Sequence, residues 1–387
     1  MAVLEAERFV GRASTPMPRF RIEFLDDWKR AAACWSGAGQ ETAFQNPIWL
    51  ESWYEAFAKT LPLIAIITDS FIGRPVVLVP LIVRQRHGVR IIEFADLNVT
   101  DYNGPLLARG VTFDATEARA VSQALVSALR KLPGGADLVR LRKMPARFDG
   151  GLNPLATLAR VGSSSLNGNI ISTGEDFEAY RSSIKRMQLP RSWRVFERHP
   201  GAEFKLVTAL DEALRVVDIT DVQQQARMQN LDQDFVLNDQ IHSRFYRNLV
   251  RRGLPSGYAV VSTLRCDEGT IATVLGIRQS DSFVFLRISN GGSRWKNCSP
   301  SRLIIERTMA ALHAQGVRHF DLSVGNYAFK RRFGASPLSL TDASVALSWR
   351  GMPYAWRDYV AQALRRHPRL SALVGRLLHK RYPGEEE

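Results

Sequence analysis

The stretch SFVFLRISNGGSRWKNCSPSRLIIERTMAALHAQGVRHFDLSVGNYAFKRRFGA, Ser282–Ala335, reads as strand, helix, strand and basic turn. Ser282 to Ser289 is rich in aromatic and β-branched residues, as a strand packed on both sides requires. Ser299 stands at a helix N-cap position, Pro300 suits the first helical position, where an N–H has no partner, and Gly316 follows the last turn. The first turn holds Ser301 and Arg302 and no acid, although the positive end of a helix attracts carboxylates. Free amides, two hydroxyls and a guanidinium there form a cradle for a pyrophosphate such as that of coenzyme A. A plain Ser-Pro cap, with Arg302 paired to Glu306 one turn on, stays open beside that reading. The strand HFDLSV then runs into Asp321, Ser323, Asn326, Tyr327, Lys330, Arg331 and Arg332. An acid, a phenol and several cations at one strand end suit a site better than a core.

Outward from this stretch, YAVVSTL and TIATVLGIR precede it as two more strands joined by short polar turns. Before them lie three helical segments, Phe177 to Phe196, Asp211 to Met228 and Asn238 to Arg252, the last closed by Gly253. The first half repeats this order. FQNPIWLESWYEAF starts a helix at Asn46 and Pro47, with Trp49, Trp53 and Phe57 on one face. PLIAIITD, PVVLVPLIVR and VRIIEFAD follow as an antiparallel meander, preceded by a strand around Phe20 to Phe24. A helix from Asp114 to Leu132, apolar at Ala118, Val121, Leu125 and Leu129, leads into the strand DLVRLRK. The shared order α-β-β-β-α-β, with ALRKLPGGADLVRLRKM matching ALHAQGVRHFDLSVGN in outline, suggests duplication. Met144 to Ser172, which contains GSSSLNGN, has little periodicity and is expected to link the halves.

The chain of 387 residues is long enough for two cores, and 45% hydrophobic with 23% charged residues is the composition of a folded protein. Its net charge of +14, from 52 Lys and Arg against 38 Asp and Glu, suits a polyanionic partner: nucleic acid, anionic lipid or a phosphate-rich cofactor. Cys34, Cys266 and Cys298 show no C-x-x-C spacing, which excludes a disulfide framework or zinc site and fits a reducing compartment. The first residues lack the apolar run of a signal peptide, and Leu61 to Val83 is broken by Asp69, Arg74 and prolines, so a cytoplasmic protein is expected.

FQNPIWLESWYEAF, DYNGPLL, the Ser-Pro helix start and FDLSVGNYAFKRRFGA resemble the CelD-like acyltransferases of the GNAT fold, in order and spacing from about residue 40 to residue 335. The resemblance implies an α+β fold of two tandem GNAT-like domains, with mixed, mostly antiparallel sheets flanked by helices. The expected divisions are an N-terminal domain with its linker over 1–170, a C-terminal domain with the acyl-donor site over 171–350, and a basic amphipathic tail over 351–387. It implies direct transfer from acetyl-CoA or another acyl-CoA to an amine or hydroxyl acceptor, with no metal, in polysaccharide or envelope biosynthesis. Asp321, Tyr327 and Lys330 become the candidate catalytic residues, Asp321 as base or orienting acid and Tyr327 as the acid for the departing thiolate. Phe285, Arg287, Ser289, Trp295, Ser299, Ser301, Arg302 and Arg331 become the candidate donor contacts, with a polarising N–H from the strand Phe283 to Ser289. Asp101, Tyr102, Asn103, Asn326 and Arg332 become the candidate acceptor contacts. Two positions depart from the family pattern: Ser301 stands where a glycine is usual, and Asn326 where an acid is usual.

Cys298 lies beside the cradle, but this transfer needs no nucleophilic thiol. Leu370, Leu373, Val374, Leu377 and Leu378 fall on one helical face among Arg369, Arg376, Lys380 and Arg381, so residues 370–381 are a candidate contact with an anionic membrane. Arg181, Lys185, Arg186, Arg191, Arg194 and Arg198 form a second basic stretch without a nucleic-acid motif, and no specific nucleic acid is expected. Two alternatives stay open: a FemAB-like transferase, which pairs two GNAT domains and uses aminoacyl-tRNA, and a GNAT-fold binding module without activity.

Overall fold

The computed structural model describes residues 18–35, 42–148, 151–230, 239–325 and 327–365. Asn326 and the basic segment 370–381 lie outside the described residues. The first half comprises β1 (Phe20–Leu25), α1 (Trp28–Cys34), α2 (Pro47–Ala56), β2 (Leu61–Asp69), β3 (Arg74–Arg86), β4 (Val89–Phe94), β5 (Leu106–Leu107), α3 (Ala115–Arg130) and β6 (Leu138–Pro145). A small hairpin, β7 (Arg147–Phe148) with β8 (Gly151–Leu152), leads to the long β9 (Val161–Ser172). Then come α4 (Phe177–Ser183), α5 (Leu189–Phe196), β10 (Glu203–Val207), α6 (Leu210–Asn230), α7 (Gln240–Gly253), β11 (Ala259–Cys266), β12 (Gly269–Gln279) and β13 (Ser282–Asn290). The chain continues through α8 (Pro300–His313), β14 (His319–Asp321), α9 (Ala328–Arg332), β15 (Ser336–Ala346) and α10 (Met352–Arg365).

Thirteen strands of the described residues form one sheet in the order β1-β2-β3-β4-β6-β15-β9-β14-β13-β12-β11-β10, with β5 on β3. All pairings are antiparallel except β4 with β6 and β13 with β14. These two parallel pairs occupy equivalent places in the repeat, each closing a three-strand meander through one crossover helix, α3 or α8. One face of the sheet carries α1, α2, α6 and α7 over a shared core. The other carries α3 over the first half and α4, α5 and α8 over the second. The architecture is thus the α+β fold of mixed, mostly antiparallel strands flanked by helices that the sequence implies.

Local chemistry explains the elements that were legible. Asn46 accepts the amide of Ile48 and Pro47 opens α2, while Asp114 and Glu117 form a reciprocal capping box on α3. Trp49 and Trp53 are fully buried, and Trp49 meets Phe245 of α7 edge-to-face at 4.9 Å. At about 25 cal/mol per Å², burying ~200 Å² of each indole contributes about 5 kcal/mol before entropy.

Several expectations need correction. Phe177 to Phe196 is two helices, because Gln188 turns left-handed at φ 53 and Pro190 lies in the first turn of the restart. The aperiodic segment up to Ser172 contains β9, whose small polar residues let other groups approach its backbone: a Cβ on Gly168 would stand 2.1 Å from the Tyr102 hydroxyl. The expected boundary between residues 170 and 171 falls within this strand. β10 and β15 were not anticipated, and β15 bonds both β6 and β9, joining the halves into one sheet. HFDLSV is a strand only to Asp321, since Ser323 at φ 71 turns the chain out. Part of the expected tail is α10, which lies on the sheet face of α2 and α7 with Ala355 and Gln362 buried.

Candidate active site

β13 and β14 are bonded for three residue pairs, Ser282 with His319, Phe283 with Phe320 and Val284 with Asp321, and then part. From Phe285 onward β13 pairs with β12 alone, so the edge facing β14 has no partner strand among the described residues. A bulge between Leu275 and Gly276 of β12 leaves Leu286 unopposed and resets the alternation of β13. Phe285 is therefore buried in the core on the α8 side. Arg287 and Ser289 face α6. Arg287 binds Asp221 at 2.6 Å and Gln224 at 2.9 Å and lies over the Tyr246 ring, and Ser289 donates to Gln223 at 2.6 Å. These side chains hold the splayed strand to α6.

The helix start differs from its sequence reading in one respect. Ser299 occupies the N-cap position but is left-handed at φ 49 and makes no side-chain cap. Its hydroxyl accepts instead from Arg302 Nη2 at 2.7 Å. Arg302 is not paired with Glu306, which Arg181 holds at 2.6 Å. The Ser301 hydroxyl accepts from Asn290 Nδ2 at 2.7 Å, tying the helix start to the end of β13. Trp295 is buried in the same core, stacked edge-on to His199 at 4.9 Å. Burial raises the proton affinity of Cys298, whose thiol donates to the Trp295 carbonyl, so it stays a thiol.

Asp321 ends the paired stretch of β14 on the opposite face, and there the two halves meet. It is buried, accepts the Ser323 amide at 2.7 Å and lies beside the Tyr102 hydroxyl, which makes no well-aligned hydrogen bond of its own. Burial pushes its carboxyl up to about 7, against the lowering effects of Tyr102 and the Ser323 amide. Asp101 accepts the Ser323 hydroxyl at 2.5 Å, 222 positions away, and burial raises it too. Lys330 is buried and donates to the carbonyls of Ser323 and Val324 at 3.1 and 2.7 Å. Burial brings its ammonium down to about 8. Asn169 of β9 bonds the Ser323 and Gly325 carbonyls and completes the clamp on this turn.

The loop carrying Asp101 to Asn103 is held by the aromatic helix. Trp49 Nε1 donates to Thr100 at 3.2 Å, Trp53 Nε1 to the Asp96 carbonyl at 3.1 Å, and Gln45 to the Tyr102 carbonyl at 3.1 Å. Asn103 bonds Asp96 and the Arg142 carbonyl, away from Asp321. Tyr327 is 66% exposed, with Lys330 Nζ 5.4 Å from its ring centre, and Arg331 and Arg332 point to the surface. Asp321, Lys330, Asp101 and Tyr102 are thus gathered, Tyr327, Arg331 and Arg332 lie at the rim, and the α8 start lies across the sheet. Ser323 and Asn169 join the cluster without having been singled out as contacts. Among the described residues no group of three or more His, Cys, Asp or Glu is gathered to hold a metal ion. No described helix is long and apolar enough to cross a membrane.

Residues 183–331, which run from the end of α4 through α9, match the family model of the acetyltransferase (GNAT) domain. Among solved structures the chain is similar to FemX, at 8% identity over 83% of this chain and 96% of that one, with a TM-score of 0.56. It is also similar to a conserved protein of unknown function from Bacteroides thetaiotaomicron, at 12% identity over 85% and 100%, with a TM-score of 0.50. No curated protein matches the sequence. These likenesses and the two equivalent parallel strand pairs support a GNAT-like fold, and the match to the acetyltransferase (GNAT) domain model falls on residues 183–331 of the second half.

Proposed function

We propose that this protein transfers an acyl group from an acyl-CoA, acetyl-CoA or another, to an amine or hydroxyl acceptor, and that Asp321 takes the acceptor's proton. The observation that carries the reading is the position of Asp321: a buried carboxyl with a proton affinity near neutrality, at the point where β13 and β14 part. A group that titrates near the working pH is suited to general base catalysis. Tyr102 and the Ser323 amide orient the carboxyl, and Lys330 balances its charge once ionised. Tyr327, at the mouth beside Lys330, is suited to protonate the departing thiolate. The coenzyme would supply an acyl group already activated as a thioester. The uncapped start of α8, with Ser299, Ser301 and Arg302, would hold its pyrophosphate, and the unpaired edge of β13 offers backbone N–H groups to a carbonyl. Phe285 and Trp295 support that strand and helix start from the core, while Arg287 and Ser289 fix the edge from the far face. Arg331 and Arg332 would meet an anionic donor or acceptor at the rim, Asn326 stays a candidate acceptor contact, and Asp101, Tyr102 and Asn103 would form the acceptor side.

A CelD-like role on a saccharide or lipid-linked acceptor is the finer reading. Exposed Trp349, Met352 and Trp356, which lie on and just before α10 and precede the basic segment 370–381, support contact with an anionic membrane surface. Aminoacyl-tRNA as donor is the second reading. Exposed Lys185 and Arg186 in the turn before α5, Arg191 and Arg194 on α5, which packs on α8, and Arg198 just after it favour it. A thermal-shift comparison separates them. Acetyl-CoA raises the melting temperature of the wild type and not of Arg302→Glu. A shift with tRNA in place of coenzyme moves the donor assignment, and silence with both leaves a binding module.

A further inference from the structure

A cavity of about 730 Å³ lies over the strands of the first half and is lined by residues of both halves. Its floor is formed by β3, β4, β6 and β15, on the sheet face that also carries α2 and α7. α10 walls one side, and the ends of α2 and α7 with the loop from Asp96 wall the other. β4 and β6 are bonded for two residue pairs, Ile91 with Leu138 and Ile92 with Val139, and then part, as β13 and β14 do. The cavity thus opens over the first copy of the splay.

Most charges lining it are matched. Arg84 binds Glu93 at 2.8 Å, Lys143 binds Asp96 at 2.7 Å, and His242 faces Asp239 at 2.8 Å. Arg140, 8% exposed, gives its Nε to Asp358 at 2.7 Å, but Asp358 also accepts the Ser344 hydroxyl, and Arg140 Nη2 is buried without a hydrogen bond. Burial lowers the proton affinity of this guanidinium despite Asp358. Arg86 and Arg142 line the same cavity, and their side chains form no ion pair among the described residues. Against them stands one unmatched acid, Asp342, whose carboxylate takes the Lys143 amide. A buried guanidinium with an unused donor is costly, and an oxyanion is the group that satisfies it best, often in two-pronged fashion. The volume lies in the range of small-ligand sites.

We infer that this first-half cavity binds a ligand bearing an oxyanion, phosphate or carboxylate, through Arg140, Arg142 and Arg86. The inference rests in part on the acyltransfer reading, for it names the anionic end of the acceptor. The cavity and the Asp321 cluster lie on one sheet face and share the loop Asp96–Asn103: Asp96 and Asn103 line the cavity, while Asp101 and Tyr102 face the cluster. An acceptor anchored at the arginines could extend past this loop toward Asp321. Asp342 offers an acceptor for a hydroxyl or amine of the same ligand.

The test is binding, independent of any acyl transfer. Inorganic pyrophosphate and citrate are titrated by calorimetry at constant ionic strength into the full chain, into Arg302→Glu, which removes the α8 start as a competing anion site, and into the double variant Arg86→Glu/Arg142→Glu made in that Arg302→Glu background. Both arginines of the double variant have exposed side chains, and an unliganded melting temperature unchanged from Arg302→Glu confirms that it folds. Saturable binding of either anion that persists in Arg302→Glu and is weakened at least tenfold in the double variant is expected. Binding of pyrophosphate alone assigns a phosphate ligand, and of citrate alone a carboxylate ligand. Absence of binding by both, or binding that survives the double variant, overturns the inference. Loss in Arg302→Glu alone would place the anion at the α8 start and overturn it equally. If the inference holds while acetyl-CoA gives no thermal shift, the donor reading fails and the anion site stands.

Discussion

Asp321→Asn should make the protein more resistant to alkaline pH while removing its activity. The buried carboxyl holds its proton to about 7, whereas an ordinary aspartic acid releases it at 3.8. Between these values the unfolded chain has lost the proton and the native one has kept it, so wild-type stability falls as pH rises and the loss is complete above about 7. From pH 5 to pH 9 the native carboxyl crosses about two pH units of this window, worth about 3 kcal/mol at 1.36 kcal/mol per unit. Asparagine does not titrate, and its amide oxygen can still accept the Ser323 amide. Lys330 adds to the same trend: without Asp321 its proton affinity drops below about 8, which strengthens the rise of the variant's stability with pH. Urea unfolding of both proteins at pH 5 and pH 9 measures this as a double difference, in which any constant packing cost of the substitution cancels. The variant should gain about 3 kcal/mol on wild type between the two pH values. An unchanged gap would refute the buried neutral carboxyl, and with it the reason for choosing Asp321 as base. In turnover, release of the coenzyme thiol should rise with pH through about 7 in the wild type. The variant should lose this limb and about 10²–10⁴-fold in rate.

Gly276→Ala should cost about 3 kcal/mol, seen as a lower urea midpoint, since its Cβ would stand 2.2 Å from the Phe283 ring and 2.4 Å from the Val284 carbonyl at the bulge that sets β13. A midpoint within error of wild type would mean that the bulge is not held by this close contact. Trp349→Ala/Trp356→Ala should reduce co-sedimentation with anionic vesicles without altering the melting temperature, because both side chains are mostly exposed. Equal sedimentation of variant and wild type removes α10 from any membrane contact.

The elements readable in the sequence are those whose stability is local. The cap at Asn46 and Pro47, the box of Asp114 with Glu117, and the apolar stripe of α3 all act within a few residues. β9 and β15 were not readable because their partners lie far away. VGSSSLNGNIIS has little intrinsic preference for a strand, and it is one because β15 and β14 bond it and because Gly162 and Gly168 admit Gln362 and Tyr102. The site divides in the same way. Asp321 could be named as a polar residue at a strand end and Asp101 to Asn103 through the family resemblance, but the bond between Ser323 and Asp101 is made by the fold, and so is the burial that pushes Asp321 up to about 7. The cradle was overread in one detail. Ser299 has the right identity for a cap, but the turn of residues 293–298 before it leaves it left-handed, so its hydroxyl meets Arg302 instead of an amide.

The two splayed pairs make the repeat chemically asymmetric. The same topology in the first half opens onto guanidinium groups, one of them with an unused donor, and in the second onto carboxyls whose proton affinity burial raises. Desolvation acts in opposite senses on the two, lowering the proton affinity of Arg140 and raising that of Asp321. A cation that cannot lose its proton at neutral pH can only bind, whereas a carboxyl poised near 7 can exchange a proton. One copy is thereby suited to holding a charged ligand and the other to chemistry on it. The loop from Asp96 to Asn103 contributes to both, and the indoles of Trp49 and Trp53 fix it in place. The aromatic motif of the first half therefore fixes the loop that the proposed binding and reaction sites share.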